Sequence, residues 1–182
     1  MGAIAGAMKG GLGSASTVWN GFTVGALVAV NSVGSCVNPA TGTLWARDHA
    51  LGDEMGPVLR SASPRLCRTQ LEFMAKAASP GASTTIAMVA TDARLTKAEA
   101  KRLAIMAGDG LAIAIRPLHT PFDGDTVFAA ATGHRSLGPN RALTLAELGA
   151  IAATTLARAV GRAIWLAAPA GRANSYRAIL GA

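Results

Sequence analysis

The chain has 182 residues, of which 51% are hydrophobic, 15% charged and 4% aromatic, with a formal net charge of +7. This is one domain's worth of chain with ample apolar material for a core, which excludes general disorder. The positive charge invites a nucleic-acid reading, but the arginines stand singly among apolar residues and no Lys/Arg cluster interleaves with aromatics, so a basic nucleic-acid module is the least supported function.

In chain order, the first stretch, MGAIAGAMKGGLG, lacks a positive region ahead of its apolar part, as a secretory signal would need. No window approaches about 18 uninterrupted apolar residues, so a cytoplasmic chain without a membrane partner is expected. MKGGLGSAS looks phosphate-binding but lacks the G-x-x-x-x-G-K-[ST] order of a P-loop, and reads as a flexible turn carrying one solvated lysine, Lys9. TVGALVAVNSVG, Thr23 to Gly34, is the first of three short, apolar, β-branched runs bounded by turn residues and is expected to be a buried strand. Its Asn31 reads on its own as a turn residue closing that strand.

Cys36 and Cys67 lie far apart without CxxC spacing. They suggest neither a zinc site nor a disulfide framework and read as buried small hydrophobes in a reducing compartment. Residues 37–64, rich in Pro, Gly and charge, are expected to form exposed loops. A short helix is expected over RLCRTQLEFMAK, residues 65–76, stopped by Ser79-Pro80.

SPGASTTIAMVATDARL places Ser83, Thr84 and Thr85 just after a Pro80-Gly81 turn, at the mouth of the second strand, Thr84 to Asp92. Side chains alternate across a strand, so Thr84 is sent to the opposite face from its two hydroxyl neighbours. TKAEAKRLAIMAGDGLAIAI opens with a capping box, Thr96 and Glu99, and its apolar residues cover too much of the helix for a lone surface stripe. The third strand, Asp125 to Gly133, follows HTPFDGD, in which Asp123 and Asp125 flank a glycine. Such a pair most often makes a turn, and two carboxylates alone provide too few ligands for a metal. TLAELGAIAATTLARAVGRAIWLA repeats the capping-box device at Thr144 and Glu147 and ends before Pro169.

Taken together, the segments KGGLGSAS, VGALVAVNSVG, STTIAMVATDARLTKAEAKRLAIMAGDGLA and RPLHTPFDGDTVFAAATG resemble the self-processing amidohydrolases that include the D-aminopeptidase DmpA, β-peptidyl aminopeptidases and nylon-oligomer endo-hydrolases. The match runs over nearly the whole chain, while members of that family are nearly twice as long. The resemblance implies an α/β fold: a four-layer α/β/β/α sandwich of the N-terminal-nucleophile-like type, shared with ornithine acetyltransferase and here N-terminally truncated. It also implies a chain that cuts itself between Ser83 and Thr84 into 1–83 and 84–182. Thr84 then becomes an N-terminal nucleophile assisted by Asp123 and Asp125, with Asn31 as an amide donor to the oxyanion and Lys9 close to the reacting groups.

The chemistry is coherent in itself. A threonine hydroxyl is a poor nucleophile, but a free α-amine on the same residue, with a pKa of about 7.7 to 8.0, is a base poised near neutrality. The implied activity is hydrolysis of short peptides or linear amide oligomers, without metal or organic cofactor, in a homo-oligomer. The alternative is a non-catalytic remnant that keeps the fold alone. Three departures from the family stand out: Ser83 precedes the nucleophile where relatives carry Asn or Gly, Gly108 replaces a histidine within the helix, and the only tyrosine, Tyr176, lies in the C-terminal tail.

Overall fold

The structure, a computed structural model, describes residues 2–38, 40–57, 83–171 and 173–181. The helix expected at 65–76, Cys67 and the Pro80-Gly81 turn lie outside the described residues.

Trp19-Asn20-Gly21-Phe22 sets the main hairpin. Asn20 and Gly21 both have positive φ, 44° and 78°, the requirement of the two-residue turn whose twist matches that of paired strands. It joins β3 (Gly11–Trp19) to β4 (Phe22–Val30) in a register running from Trp19↔Phe22 to Gly11↔Val30. The expectation of a flexible turn at MKGGLGSAS is therefore corrected, because most of it lies in β2 (Met8–Lys9) and β3. Its glycines serve close packing rather than bending. A Cβ on Gly13 would meet the Ala159 carbonyl oxygen at 2.1 Å, and one on Gly11 would meet that of Ala163 at 3.1 Å. A helix thus lies almost against the strand backbone. The first strand expected from sequence ends at Val30 rather than Gly34, where the chain leaves the sheet.

β4 pairs antiparallel with β5 (Ile86–Ala93), and β5 pairs parallel with β6 (Thr126–Arg135), giving the sheet order β3-β4-β5-β6. The parallel step needs a crossover, and α1 (Lys97–Ala114) supplies it. Its capping box forms as expected, with Thr96 Oγ1 accepting from the Glu99 N–H and the Glu99 carboxylate accepting from the Thr96 N–H. A minor hairpin, β1 (Ile4–Ala5) with β2, precedes the sheet.

α2 (Arg141–Leu166) starts a turn earlier than expected, with Asn140 at its N-cap and no side-chain cap. The Thr144/Glu147 capping box does not form. Thr144 already lies inside the helix and its Oγ1 donates back to the Asn140 carbonyl at 3.3 Å, as hydroxyls do in helix interiors. Although α2 is 26 residues long and apolar enough by composition to cross a membrane, Leu148, Leu156, Val160 and Ile164 are fully buried in the core beneath the sheet. A Cβ on Gly110 of α1 would meet the Ala153 carbonyl oxygen of α2 at 2.1 Å, so the two helices also approach to backbone contact. α3 (Tyr176–Leu180) closes the chain.

The Arg141 guanidinium that opens α2 grips Glu99 at 2.8 Å, and this hydrogen bond holds the Glu99 carboxyl down to about 2 from its ordinary value of 4.5. A carboxyl depressed on folding contributes stability that is complete above its unfolded pKa and fades as pH falls through the folded one. The melting temperature is therefore expected to decline between pH 4.5 and 2, and to decline less steeply in Glu99→Gln, as thermal melts over that range will read.

α1 and α2 both pack on one face of the sheet. The other face carries the row Ser14, Leu27, Met88, Phe128 in register across all four strands, and Leu12, Val18, Leu27, Ile86 and Phe128 are all more than half exposed on it. The described residues thus make two layers, a helical layer and a sheet, and leave an apolar sheet face open.

Candidate active site

The sheet brings three chain segments to one corner. Ser83 bridges Asp123 in parallel just ahead of β5 and β6, while residues 31–33 leave the end of β4 beside them. Thr84 donates its backbone N–H to the Asn31 carbonyl at 2.6 Å, and its Oγ1 donates to the Ser83 carbonyl at 2.6 Å. The Gly124 N–H reaches that same Ser83 carbonyl at 3.2 Å. Ser83 and Thr85 are buried whereas Thr84 is only partly so, which is the alternation expected from the sequence.

The two aspartates brace the corner through backbone donors. Asp123 Oδ1 accepts from the Val33 N–H at 3.0 Å, and its Oδ2 accepts from Thr120 Oγ1 at 2.6 Å and from the Thr120 N–H at 3.2 Å. Asp125 Oδ1 accepts from the Thr85 N–H at 2.8 Å. Its Oδ2 accepts from the His119 N–H and lies 3.2 Å from His119 Nδ1. The Asp125 side chain is wholly buried while His119 is 60% exposed, so this carboxylate is a built-in strut rather than a solvated turn residue. Asn31 Oδ1 accepts from the Ile4 N–H at 2.9 Å, which fixes the other end of the amide as the NH₂ donor.

Lys9 sits on the small hairpin that Asn31 holds, and its Nζ donates to the Ala3 carbonyl at 2.8 Å. The structure therefore gathers Ser83, Thr84, Asp123, Asp125 and Asn31 directly, and Lys9 through β1 and β2. His119, Thr120 and Gly124 are partners that sequence reasoning missed. The signal in HTPFDGD is a threonine three residues before an aspartate, a spacing that lets the two side chains close a turn, whereas the φ of 55° at His119 is seen only in the fold.

Among the described residues, no group of three or more His, Cys, Asp or Glu gathers to hold a metal. Tyr176 is buried, donates to the Gly42 carbonyl at 2.8 Å and has its hydroxyl pushed up to about 12 by burial against the pull of Arg47. It acts as a structural tie. Cys36 is likewise buried, with its thiol pushed up to about 12 by loss of solvent.

Thr85 Oγ1 is buried and has no hydrogen-bond partner among the described residues. Leaving a buried hydroxyl unsatisfied costs about 1–3 kcal/mol, whereas an apolar group of the same shape avoids the cost. Thr85→Val is thus expected to raise stability by about 1 kcal/mol, as urea unfolding will measure, and to leave any cut after Ser83 intact.

Comparison with known proteins assigns this architecture a class and then a family. The fold matches that of the L-aminopeptidase D-Ala-esterase/amidase of Ochrobactrum anthropi, described as a prototype for the serine aminopeptidases and a variant of the Ntn hydrolase fold. The TM-score is 0.56 at 23% identity, covering 89% of this chain and 42% of that one. A Burkholderia sp. beta-aminopeptidase matches with a TM-score of 0.54 at 27% identity over 89% of this chain and 43% of that one. The model of Peptidase family S58 matches residues 1–177, and the chain belongs to that family. Its relatives include uncharacterised aminopeptidases of Mycobacterium tuberculosis, 43% identical over 95% of this chain and 53% of the relative, and of Mycobacterium leprae, 47% identical over 88% and 45%. The chain spans about half the length of the curated relatives it matches.

Proposed function

We propose that this chain carries the reactive corner of an amide-bond hydrolase, an aminopeptidase or linear amide-oligomer hydrolase, that releases its own nucleophile by cutting Ser83–Thr84. The observation that carries the reading is the seating of Thr84: Oγ1 lies 2.6 Å from the oxygen of the preceding carbonyl, and the N–H of the same residue is held on Asn31.

In the cut, Thr84 Oγ bonds to the Ser83 carbonyl carbon, its proton passes to the Thr84 nitrogen, and the C–N bond breaks with its electron pair on nitrogen. Water then hydrolyses the resulting ester to the Ser83 carboxylic acid and restores the hydroxyl. The freed amine is the base that was missing. It takes the Oγ proton as Thr84 attacks a substrate carbonyl and returns a proton to the leaving amine. In this reading Asp123 and Asp125 fix the geometry as the third member of a triad fixes its base, the Asn31 amide donates to the substrate oxyanion, and Lys9 contributes positive charge from the hairpin.

Intact-mass measurement tests the cut. Two associated fragments, 1–83 and 84–182, are expected, and a chain that stays whole on long incubation with its missing layers supplied removes self-processing from the account.

The open sheet face supports the finer fold reading of a four-layer sandwich. Apolar faces of this kind pack against a second sheet about 10 Å away, and in this reading further chain supplies it. It also supports self-association of the 182-residue chain on its own, since exposed apolar patches of that extent seek a partner. Sedimentation that finds only monomer would remove self-association through this face from the proposal.

A further inference from the structure

Resting on the self-cleavage reading, we infer that the backbone N–H of Gly124 is the oxyanion donor for the Ser83–Thr84 cut, and that the Asn31 carbonyl is the acceptor that receives the nitrogen as it becomes an amine. The peptide to be cut is gripped at both polar atoms by main chain: its oxygen by the Gly124 N–H at 3.2 Å and its nitrogen by the Asn31 carbonyl at 2.6 Å.

When Thr84 Oγ adds to the Ser83 carbon, the carbonyl oxygen passes from partial to full negative charge. A donor already on that oxygen strengthens without having to reorganise, and at 3.2 Å it has room to shorten. The nitrogen meanwhile gains a proton and then leaves carbon, and a carbonyl acceptor favours each added N–H. Both partners therefore act more strongly as the reaction proceeds than at its start, which is the condition for accelerating it.

Residue 124 is suited to this by lacking a side chain. A Cβ there would stand 3.0 Å from Thr84 Oγ1 and 3.6 Å from its Cγ2, so any side chain would press on the attacking hydroxyl and glycine leaves it room. The flanking aspartates then acquire a purpose in the uncut chain. Asp123 is tied to Val33 and Thr120, and Asp125 to Thr85 and His119, so the peptide units between them are held on both sides and the Gly124 N–H cannot swing away.

The next bond of the same ladder provides the control. The Thr126 N–H donates to the Thr85 carbonyl at 3.0 Å, an equivalent bond that does not touch the peptide being cut. Replacing residue 124 by glycolic acid, which puts an ester oxygen in place of the N–H, is expected to slow appearance of the 84–182 fragment by about 10²-fold or more. The α-hydroxy acid at 126 is expected to leave that rate within a few-fold of the unmodified chain. Equal slowing by both esters would make the 124 bond an ordinary ladder bond and overturn the inference, as would an unslowed glycolate chain.

If the unmodified chain with its missing layers supplied does not cut, the self-cleavage reading itself fails and this one with it. If it cuts while the glycolate chain cuts equally fast, the oxyanion assignment alone falls. Should the glycolate chain lose its cooperative melt, the bond can be read directly in uncut Thr84→Ala protein. A scalar coupling across the hydrogen bond, between the Gly124 nitrogen and the Ser83 carbonyl carbon, is expected there, and its absence overturns the inference.

Discussion

On the proposed mechanism, Thr84→Ala protein is expected to remain a single uncut chain and to hydrolyse no small amide, with the rate falling on the order of 10⁶-fold, as when the nucleophile of a concerted catalytic group is removed. The same substitution is expected to leave the fold in place. Thr84 is only partly buried at the mouth of β5, and the bond that ties its backbone to Asn31 uses the N–H and survives. Thr84→Ser keeps both the hydroxyl and the amine that the cut would release, so it is expected to retain cutting and hydrolysis. Fragment masses followed over time, together with release of a chromogenic amine, read both. Cutting after residue 83 in the alanine protein would place the attacking group elsewhere.

Arg158→Met is expected to destabilise the fold by about 3–5 kcal/mol, because it breaks a buried ion pair and leaves one partner inside. Arg158 forks onto Glu54 at 2.7 and 2.8 Å, and its remaining arm donates to the Ser16 carbonyl and to Thr17 Oγ1, both at 2.9 Å. One side chain of α2 thus ties β3 to the loop carrying Glu54. Burial alone would raise the Glu54 carboxyl, but Arg158 and the Leu51 N–H outweigh it and hold it below its usual value. In Arg158→Met the carboxylate keeps, among the described residues, the Leu51 N–H at 2.8 Å and Arg162 at 3.5 Å. Urea unfolding is expected to show the loss, and Glu54→Gln added to Arg158→Met is expected to recover part of it by removing the stranded charge.

The elements that the sequence made legible are those whose local signals agree with their surroundings. β5 and β6 are continuous apolar runs, and α1 announces itself by a capping box that forms as written. β3 was hidden because the first three of its inward positions are Gly11, Gly13 and Ala15, which carry no strand preference, and only Thr17 and Trp19 at its far end do. What they offer is closeness to α2, and that exists only once the helix is in place. The Asn20-Gly21 turn was the one local signal for the hairpin. Thr144 misled because a hydroxyl followed three residues later by Glu suits a helix start, and nothing local says that Arg141 is drawn to Glu99 and starts the helix a turn sooner.

Within the site, the resemblance singled out Thr84, Asn31 and the two aspartates, and the fold brings them together. It did not foresee that the aspartates contact backbone N–H groups of Val33, Thr85 and His119 rather than the Thr84 nitrogen. Nor could it reveal that the glycine between them touches the carbonyl ahead of Thr84. Contacts made by main-chain atoms leave little trace in side-chain identity.

The strand order β3-β4-β5-β6 has a consequence for how such a molecule remembers its history. A break after residue 83 would leave β3 and β4 on one polypeptide and β5 and β6 on the other, so the ladder from Val24↔Thr91 to Ala29↔Ile86 would become a seam between two molecules. Folding of the unbroken chain is a first-order event, indifferent to dilution. Refolding of the broken pair is second-order, with a midpoint that moves with concentration. The unbroken chain would assemble the sheet once, quickly and at any abundance, and the nicked pair, pulled apart in dilute solution, would not find its way back.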